Sequence, residues 1–356
     1  MPVNGNLIWA PGQRSWIAFP PSDGTLNSIV GKNLVSALIE CVQGQTFRYV
    51  HDRTPLSITQ VLCVRKVTGN VRTSPIPMNQ CPGTFKAVGF DVPFPNSQNR
   101  FFDLFHVCFD ERAAIPIFTR HTVYGNEIQH RSTSAAQTSF RVAGFPRQLD
   151  VSSAYTKRYQ VQRLADLFAS DPNPRGSVDM YYAVNSLHRG HLTPRADELL
   201  TTWQLSTFFY VNVVGMWETI NNGNWKYLEE SVRTLVDNSK KNLIIYTGIY
   251  GTLSLCSDKN HCRDFTLSNG RIPVPKWLWK VVKSPDSNAA IALVVSNNPF
   301  DRESPICGLG GESFGWSRKI SLNGALGAVS YCSVQDLQRV VRYIPQEALA
   351  GNILRL

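Results

Sequence analysis

Several absences narrow what this chain can be. None of its 356 residues falls in an apolar run long enough for a bilayer-crossing helix. The opening stretch, MPVNGNLIWAPGQ, has neither a basic n-region nor an apolar h-region, so no signal peptide is legible. No Asn-x-Ser/Thr sequon occurs. There is no internal repeat, coiled coil or low-complexity tract, which argues against solenoids and fibres. GLGGES (308–313) is Gly-rich but has no following Lys-Ser/Thr, so it reads as a turn and not a phosphate loop. Neither G-x-S-x-G nor H-E-x-x-H is present, no acid pair stands in a convincing catalytic setting, and Asp110-Glu111 reads as a solvated turn. The eight cysteines (Cys41, Cys63, Cys81, Cys108, Cys256, Cys262, Cys307, Cys332) form no CxxC pair, which favours disulfides over a zinc cage.

What is present describes a globular protein with a basic balance. Hydrophobic residues make up 43% and charged residues 17%, and 36 Lys+Arg against 26 Asp+Glu give a net charge of +10. Such a surplus favours polyanionic partners, nucleic acid first and an acidic membrane surface second, although simple solubility charge accounts for it equally well. An even cysteine count without metal spacing points to an oxidising compartment. Cys256 and Cys262 flank SDKNH, and a disulfide hairpin is preferred there over a small metal site using His261. The expectation is a secreted protein, of which this chain is a processed form.

Residues 1–95 read as a small β-rich module: strands in NLIWAPGQ, SWIAFPPSDG, TFRYV, ITQVLCVRKV and FKAVGFDV, with one helix over KNLVSALIECV (32–42). PFPNSQNR (93–100) marks a boundary, and residues 96–356 form the main domain. There a helix is expected over 155–170, a break at DPNPRGS, a strand over MYYAVNSL (180–187), and a helix beginning within PRADELLTTWQLS after Thr193-Pro194. FFYVNVV (208–214) suits a buried strand. NWKYLEESVRTLVDNSKK (224–241) is the most helical stretch, with Trp225, Leu228, Val232 and Leu235 on one stripe. Strands NLIIYTGIYG, KWLWKVV and AAIALVVS follow, then a helix from Val334 to Tyr343.

The stretch HRGHLTPRADE (188–198) crowds two histidines, two arginines and a glycine into a short span. Taken alone it is a solvated loop or a weak H-x-x-H pair. Asn221, taken alone, is a helix cap. Glu229 and Arg233, taken alone, are a surface i,i+4 pair. Together they form two active-looking segments joined by a strand: an Arg-Gly-His loop of the kind that holds a phosphate and strips a proton from water, and a helix opening with Asn and carrying Glu and Arg. Gly190 is read as the turn that aims His191.

RGHL-x-P-x-AD followed by N-x-G-x-W-x-x-LE resembles the DNA/RNA non-specific endonucleases with a ββα-metal site, nearest to their arthropod secreted branch of duplex-preferring DNases and double-stranded RNases. The resemblance spans roughly residues 100–345 and takes in TGIYG, IPVPKWLWKVV (272–282), NNP (297–299) and the region of Cys332. It implies an α+β fold: a mixed core with an antiparallel sheet and a ββα-metal motif, preceded by the small β-rich module. It implies His191, an imidazole of near-neutral ordinary pKa, as general base, Arg189 and Arg233 as guanidinium forks that neutralise phosphate charge, Asn221 as the hard oxygen ligand of the metal, Glu229 holding the cation's outer-sphere water, and Asn212 organising the site. Mg²⁺ is the implied cofactor, with Mn²⁺ or Ca²⁺ as substitutes, and the products carry 5′-phosphates. Arg195, Lys226 and Lys276 are offered as nucleic-acid backbone contacts. The chain departs from the family where His188 replaces an acid, where Glu198 replaces an aromatic, and at Gly215-Met216. The expected partner is duplex DNA or RNA, without a membrane or an obligate protein partner. The alternative is a catalytically weakened nucleic-acid-binding or uptake protein.

Overall fold

In the computed structural model, residues 9–18, 28–29, 32–33, 36–44, 46–57, 69–75, 78–92, 100–133, 138–182, 185–258, 261–300, 304–310 and 312–356 are described. The first strand, β1 (Arg14–Ala18), is followed by a two-residue pair, β2 (Ser28–Ile29) and β3 (Lys32–Asn33), then by β4 (Ser36–Gln43), β5 (Thr46–Tyr49) and β6 (Pro55–Ser57). Strands β1, β4, β5 and β6 form an antiparallel sheet in that order. The helix expected over 32–42 is therefore corrected to strand β4. Ala37, Ile39 and Cys41 bury with Phe47 and Leu56, a two-residue period. On the opposite face Glu40 accepts from Arg14 at 2.9 Å and from Arg48, each on a neighbouring strand. Cross-strand partners outweigh local helix propensity here. The described part of NLIWAPGQ is a turn and not a strand; ITQVLCVRKV and residues 93–99 lie outside the described residues.

Strands β7 (Asn70–Thr73), β8 (Thr84–Val92), β9 (Arg100–Asp110) and β10 (Ile115–Val123) begin the large sheet. The pairing of β8 with β9 carries this sheet across residue 95. Helices α1 (Val151–Ala154), α2 (Lys157–Leu167) and α3 (Pro174–Tyr182) follow. The strand expected over 180–187 is corrected, since its first residues close α3. Val178, Tyr181 and Tyr182 bury together at helical spacing, overriding the β preference of the tyrosines.

Next come β11 (Leu187–His191), a 3₁₀ turn at Arg195–Asp197, α4 (Thr201–Leu205), a second 3₁₀ turn at Tyr210–Asn212, β12 (Val213–Trp217), α5 (Glu218–Asn221) and α6 (Asn224–Ser239). A helix does begin within PRADELLTTWQLS, at Thr201, whereas Thr193-Pro194 opens a 3₁₀ turn and does not cap that helix. The strand expected over 208–214 shifts to 213–217, because the Asn212 side chain bends the chain onto Thr193 and Thr207.

The last third supplies β13 (Leu243–Thr252), β14 (Ser254–Asp258), β15 (His261–Asp264), β16 (Thr266–Ser268), β17 (Arg271–Pro273), β18 (Pro275–Ser284), β19 (Ala289–Ser296), β20 (Val329–Cys332), α7 (Val334–Val340) and β21 (Asn352–Ile353). Helix α7 stops short of Tyr343. The large sheet runs β7-β8-β9-β10-β13-β18-β19-β20, all neighbours antiparallel, with β21 parallel to β19. Both faces are covered. Ile291, Leu293 and Val295 of β19 face a core shared with the β11–β12 hairpin and α6, while Ala290, Ala292 and Val294 face one shared with α7. The fold is α+β, as expected. Disulfides join Cys256 to Cys262, as anticipated, and Cys81 to Cys108 and Cys307 to Cys332. No described helix is long and apolar enough to cross a membrane.

Candidate active site

A hairpin and a helix carry the candidate chemistry. Strands β11 and β12 pair antiparallel from Leu187↔Trp217 to His191↔Val213. Alternation places Arg189 and His191 on one face of β11 and His188 and Gly190 on the other. Gly190 is extended, not turned: a Cβ there would meet the Met216 side chain at 2.3 Å, so close packing and not φ explains the glycine. His188 turns toward Glu218, Nε2 to Oε2 3.4 Å. The hairpin is clamped to the large sheet by fully buried Asn297. Its Nδ2 donates to the carbonyls of Gly215 and Pro275, both at 2.9 Å, and its Oδ1 accepts from the Trp217 N–H at 3.3 Å.

His191 lies among rings. Its imidazole centroid is 5.2 Å from Phe140 and 5.0 Å from Phe208, and its Nε2 is enclosed with no hydrogen-bond partner among the described residues. Burial, aided by the nearby Arg195 guanidinium, pushes its pKa down to about 4, so the ring is neutral at pH 7. Arg189 fits a cage of Phe140, Tyr155 and Tyr210, with centroids 5.5, 5.6 and 5.8 Å from its guanidinium carbon, and its Nε donates to the Tyr210 hydroxyl at 3.3 Å.

Asn212, fully buried, pins the loop after the histidine. Its Oδ1 accepts from the Thr193 N–H at 2.9 Å, and its Nδ2 donates to the carbonyls of Thr193 at 3.0 Å and Thr207 at 2.9 Å. Its backbone carbonyl accepts from the Leu192 N–H at 2.9 Å.

Helix α6 brings Glu229 and Arg233 to the inner face of the sheet. Arg233 Nη1 donates to Asp197 Oδ1 at 2.8 Å, and His121 of β10 bonds Asp197 Oδ2 at 3.0 Å. Burial works against the Asp197 carboxylate, but the His121 hydrogen bond and the Arg233 charge outweigh it and hold its pKa down to about 2. Burial keeps His121 neutral, with a lowered pKa. Its Nε2 is therefore the N–H that meets the ionised Asp197. Lys280 of β18 is 1% exposed, donates to Thr247 Oγ1 at 2.7 Å and sits 4.9 Å from the Trp225 ring centroid. Glu229 is pushed up to about 7, chiefly by burial; Lys280 pulls it down, Asp197 pushes it up, and Arg233 pulls it down again.

Asn221 is half-buried at the end of α5. Two residues on, Gly223 caps α6 where a Cβ would strike the Thr219 carbonyl at 2.3 Å, so the short break between α5 and α6 needs glycine. Among the described residues no hydrogen bond, ion pair or ring contact joins Asn221 to His191. Arg195 lies beside His191 and donates to Gln204 Oε1 at 3.3 Å. Lys226 projects from α6 with Glu230 at 4.0 Å, and Lys276 is half-buried on β18. No cluster of three or more His, Cys, Asp or Glu gathers as a metal cage among the described residues. The available donors are instead an amide and a carboxylate oxygen, a set that suits a hard cation retaining most of its waters.

Reading the sequence gave no role to His121, Asp197 or Lys280. Asp197 stood in the P-x-A-D signature, and Lys280 was the lone charge inside the apolar run WLWKVV, which is the signal that could have flagged it.

Comparison with known proteins adds independent findings. Residues 81–310, more than half of the chain, match the family model for DNA/RNA non-specific endonuclease. The chain is 30% identical over 221 residues to a salivary endonuclease of Lutzomyia longipalpis, covering 62% of this chain and 51% of that one. It is 22% identical over 272 residues to salivary protein Tsal1 of Glossina morsitans morsitans, covering 75% and 67%. The match thus spans about half the length of the Lutzomyia relative. A solved structure of EndoG in complex with EndoGI aligns at TM-score 0.38 and 17% identity over 58% of this chain and 77% of that one.

Proposed function

This chain belongs to the DNA/RNA non-specific endonuclease family, and from that premise we propose that it is a Mg²⁺-dependent endonuclease cleaving duplex DNA or RNA with little sequence preference. The observation that carries this reading is His191, whose burial keeps it neutral at pH 7, sharing one face of β11 and the Phe140 ring with the caged Arg189. They stand on a hairpin whose second strand feeds the helix bearing Glu229 and Arg233.

The His191 imidazole takes a proton from the attacking water as the water oxygen bonds to phosphorus. The bond from phosphorus to the 3′-oxygen breaks, the oxygen keeps the electron pair and takes a proton from solvent water, and the products are a 5′-phosphate and a 3′-hydroxyl. Burial holds the His191 pKa down to about 4 and so favours the neutral ring at pH 7, and the phosphate anion arriving beside it raises its proton affinity for the transfer. Arg189 and Arg233 offset the charge that builds on the equatorial oxygens. Asn212 holds the His191 loop in register. Asn221 would hold the cation through its amide oxygen, with Glu229 accepting from the cation's waters. When bound, the metal supplies charge stabilisation at the leaving oxygen. Arg195, Lys226 and Lys276 track the phosphate backbone. Strands β1 to β6, with their own small core, form an accessory module. Three disulfides and the salivary relatives support an extracellular site of action.

The test is digestion of duplex DNA, duplex RNA and their single strands, with Mg²⁺ and with chelator, by wild type and His191→Ala. Cleavage should need metal, and H191A should lose it by about 100-fold or more while still binding duplex. Wild-type digestion by H191A would show the base to be misassigned; binding without cleavage by the wild type would favour the weakened-nuclease alternative.

A further inference from the structure

We propose that Asp197, braced by His121, is a positioning residue that aims Arg233 at the scissile phosphate; this rests on the nuclease reading above. An arginine side chain has many rotamers, and ordering it costs entropy that a fixed partner supplies in advance. Asp197 is such a partner. It is 2% exposed, and its two oxygens are held by groups from two different elements, Oδ1 by Arg233 of α6 at 2.8 Å and Oδ2 by His121 of β10 at 3.0 Å. The carboxylate therefore cannot rotate without losing one partner. Strand β10 pairs with β9 on one side and β13 on the other, so His121 transmits the rigidity of the middle of the sheet.

Only one guanidinium nitrogen is committed to Asp197. Arg233 also borders a cleft of about 370 Å³ with Arg131 and Lys319, on a rim that includes Glu230 and Asp237. The Arg233 side chain keeps 12% of its surface exposed, and the fork geometry lets one edge be anchored while the other binds a phosphate oxygen. Asp197 lies in the 3₁₀ turn that follows the His191 loop, so one carboxylate fixes the arginine helix relative to the loop carrying the base.

The experiment measures kcat and KM of the full chain on long duplex DNA with Mg²⁺ for Asp197→Asn, Arg233→Ala and the double variant, with circular dichroism on each. Asp197→Asn should lower kcat by about 10- to 100-fold with KM little changed, and the double variant should be no slower than Arg233→Ala alone. Independent, multiplying losses in the double variant, or a wild-type kcat for Asp197→Asn, would overturn the proposal. A wild-type rate for Arg233→Ala would instead sink the underlying assignment of Arg233. If Asp197→Asn does not fold, His121→Gln, which keeps an N–H at similar reach, should retain most of kcat while His121→Phe loses it about tenfold or more. Equal kcat in those two variants would also overturn the proposal.

Discussion

Replacing Asn212 with alanine strands three buried backbone groups at once: the Thr193 N–H and the carbonyls of Thr193 and Thr207, all bonded by this side chain at 2.9 to 3.0 Å. Asn212, Thr193 and Thr207 are each 0% exposed, so water cannot replace the lost partners without entering the core. At about 1–3 kcal/mol per unsatisfied group, less some relief from an admitted water, the cost is about 3–5 kcal/mol. That is a large share of the roughly 5–15 kcal/mol that stabilises a folded protein. At about 2–4 °C per kcal/mol, the melting temperature should fall by about 6–20 °C. Activity should fall by about 10- to 100-fold below melting, because the freed loop carries His191.

Asn212→Asp sharpens the test. It keeps shape and acceptor but sets a carboxylate against two carbonyl oxygens, so its folded pKa must rise. A raised acid stabilises least at high pH: N212D should be weakest at pH 8 and recover as pH falls through the raised pKa. Thermal melts by circular dichroism across pH, with cleavage assays alongside, measure both effects. N212A melting within about 2 °C of wild type would refute the reasoning, since a three-bond clamp in a dry site cannot be that dispensable.

Three further outcomes are expected. Asn221→Ala should abolish cleavage or raise the Mg²⁺ needed for half-maximal rate by about tenfold or more, and an unchanged metal titration removes Asn221 from the cation site. In protein free of metal and substrate, NMR of the His191 ring should give a pKa near 4, moving toward the ordinary value in Phe140→Ala as water reaches the ring. Because that folded pKa lies below the unfolded one, the stabilisation it reflects is complete above about pH 6.5 and disappears as pH falls toward about 4. A ring titrating near 6.5 in the wild type contradicts the enclosure. Duplex affinity should fall linearly with log salt, and Lys226→Gln or Lys276→Gln should each reduce that slope by about one; an unchanged slope makes that lysine mere surface charge.

Elements whose own residues carry the period were legible in advance. Helix α6 bears its stripe Trp225, Leu228 and Val232 within one segment, and β13, β18 and β19 are unbroken runs of strand-forming residues. The elements misjudged were those whose state depends on a distant neighbour. Strand β4 is extended because β1 and β5 hydrogen-bond it and supply arginines to Glu40. Helix α3 is helical because its tyrosines find buried partners: Tyr182 donates to Gln160 of α2 at 2.9 Å, and Tyr181 to the Cys256 carbonyl of β14 at 2.8 Å.

The same division runs through the site. The linear chain by itself supplied the list of candidate groups, His191, Arg189, Asn221, Glu229 and Arg233, because their types and spacing survive in one dimension. Only the tertiary structure decided what surrounds them: Phe140 and Phe208 over the imidazole, and Asp197 held between His121, 76 residues away, and Arg233, 36 residues away. A proton affinity or a guanidinium's aim depends on burial and on charges a few ångströms off, and chain folding brings those neighbours together from segments with no local signal of the encounter.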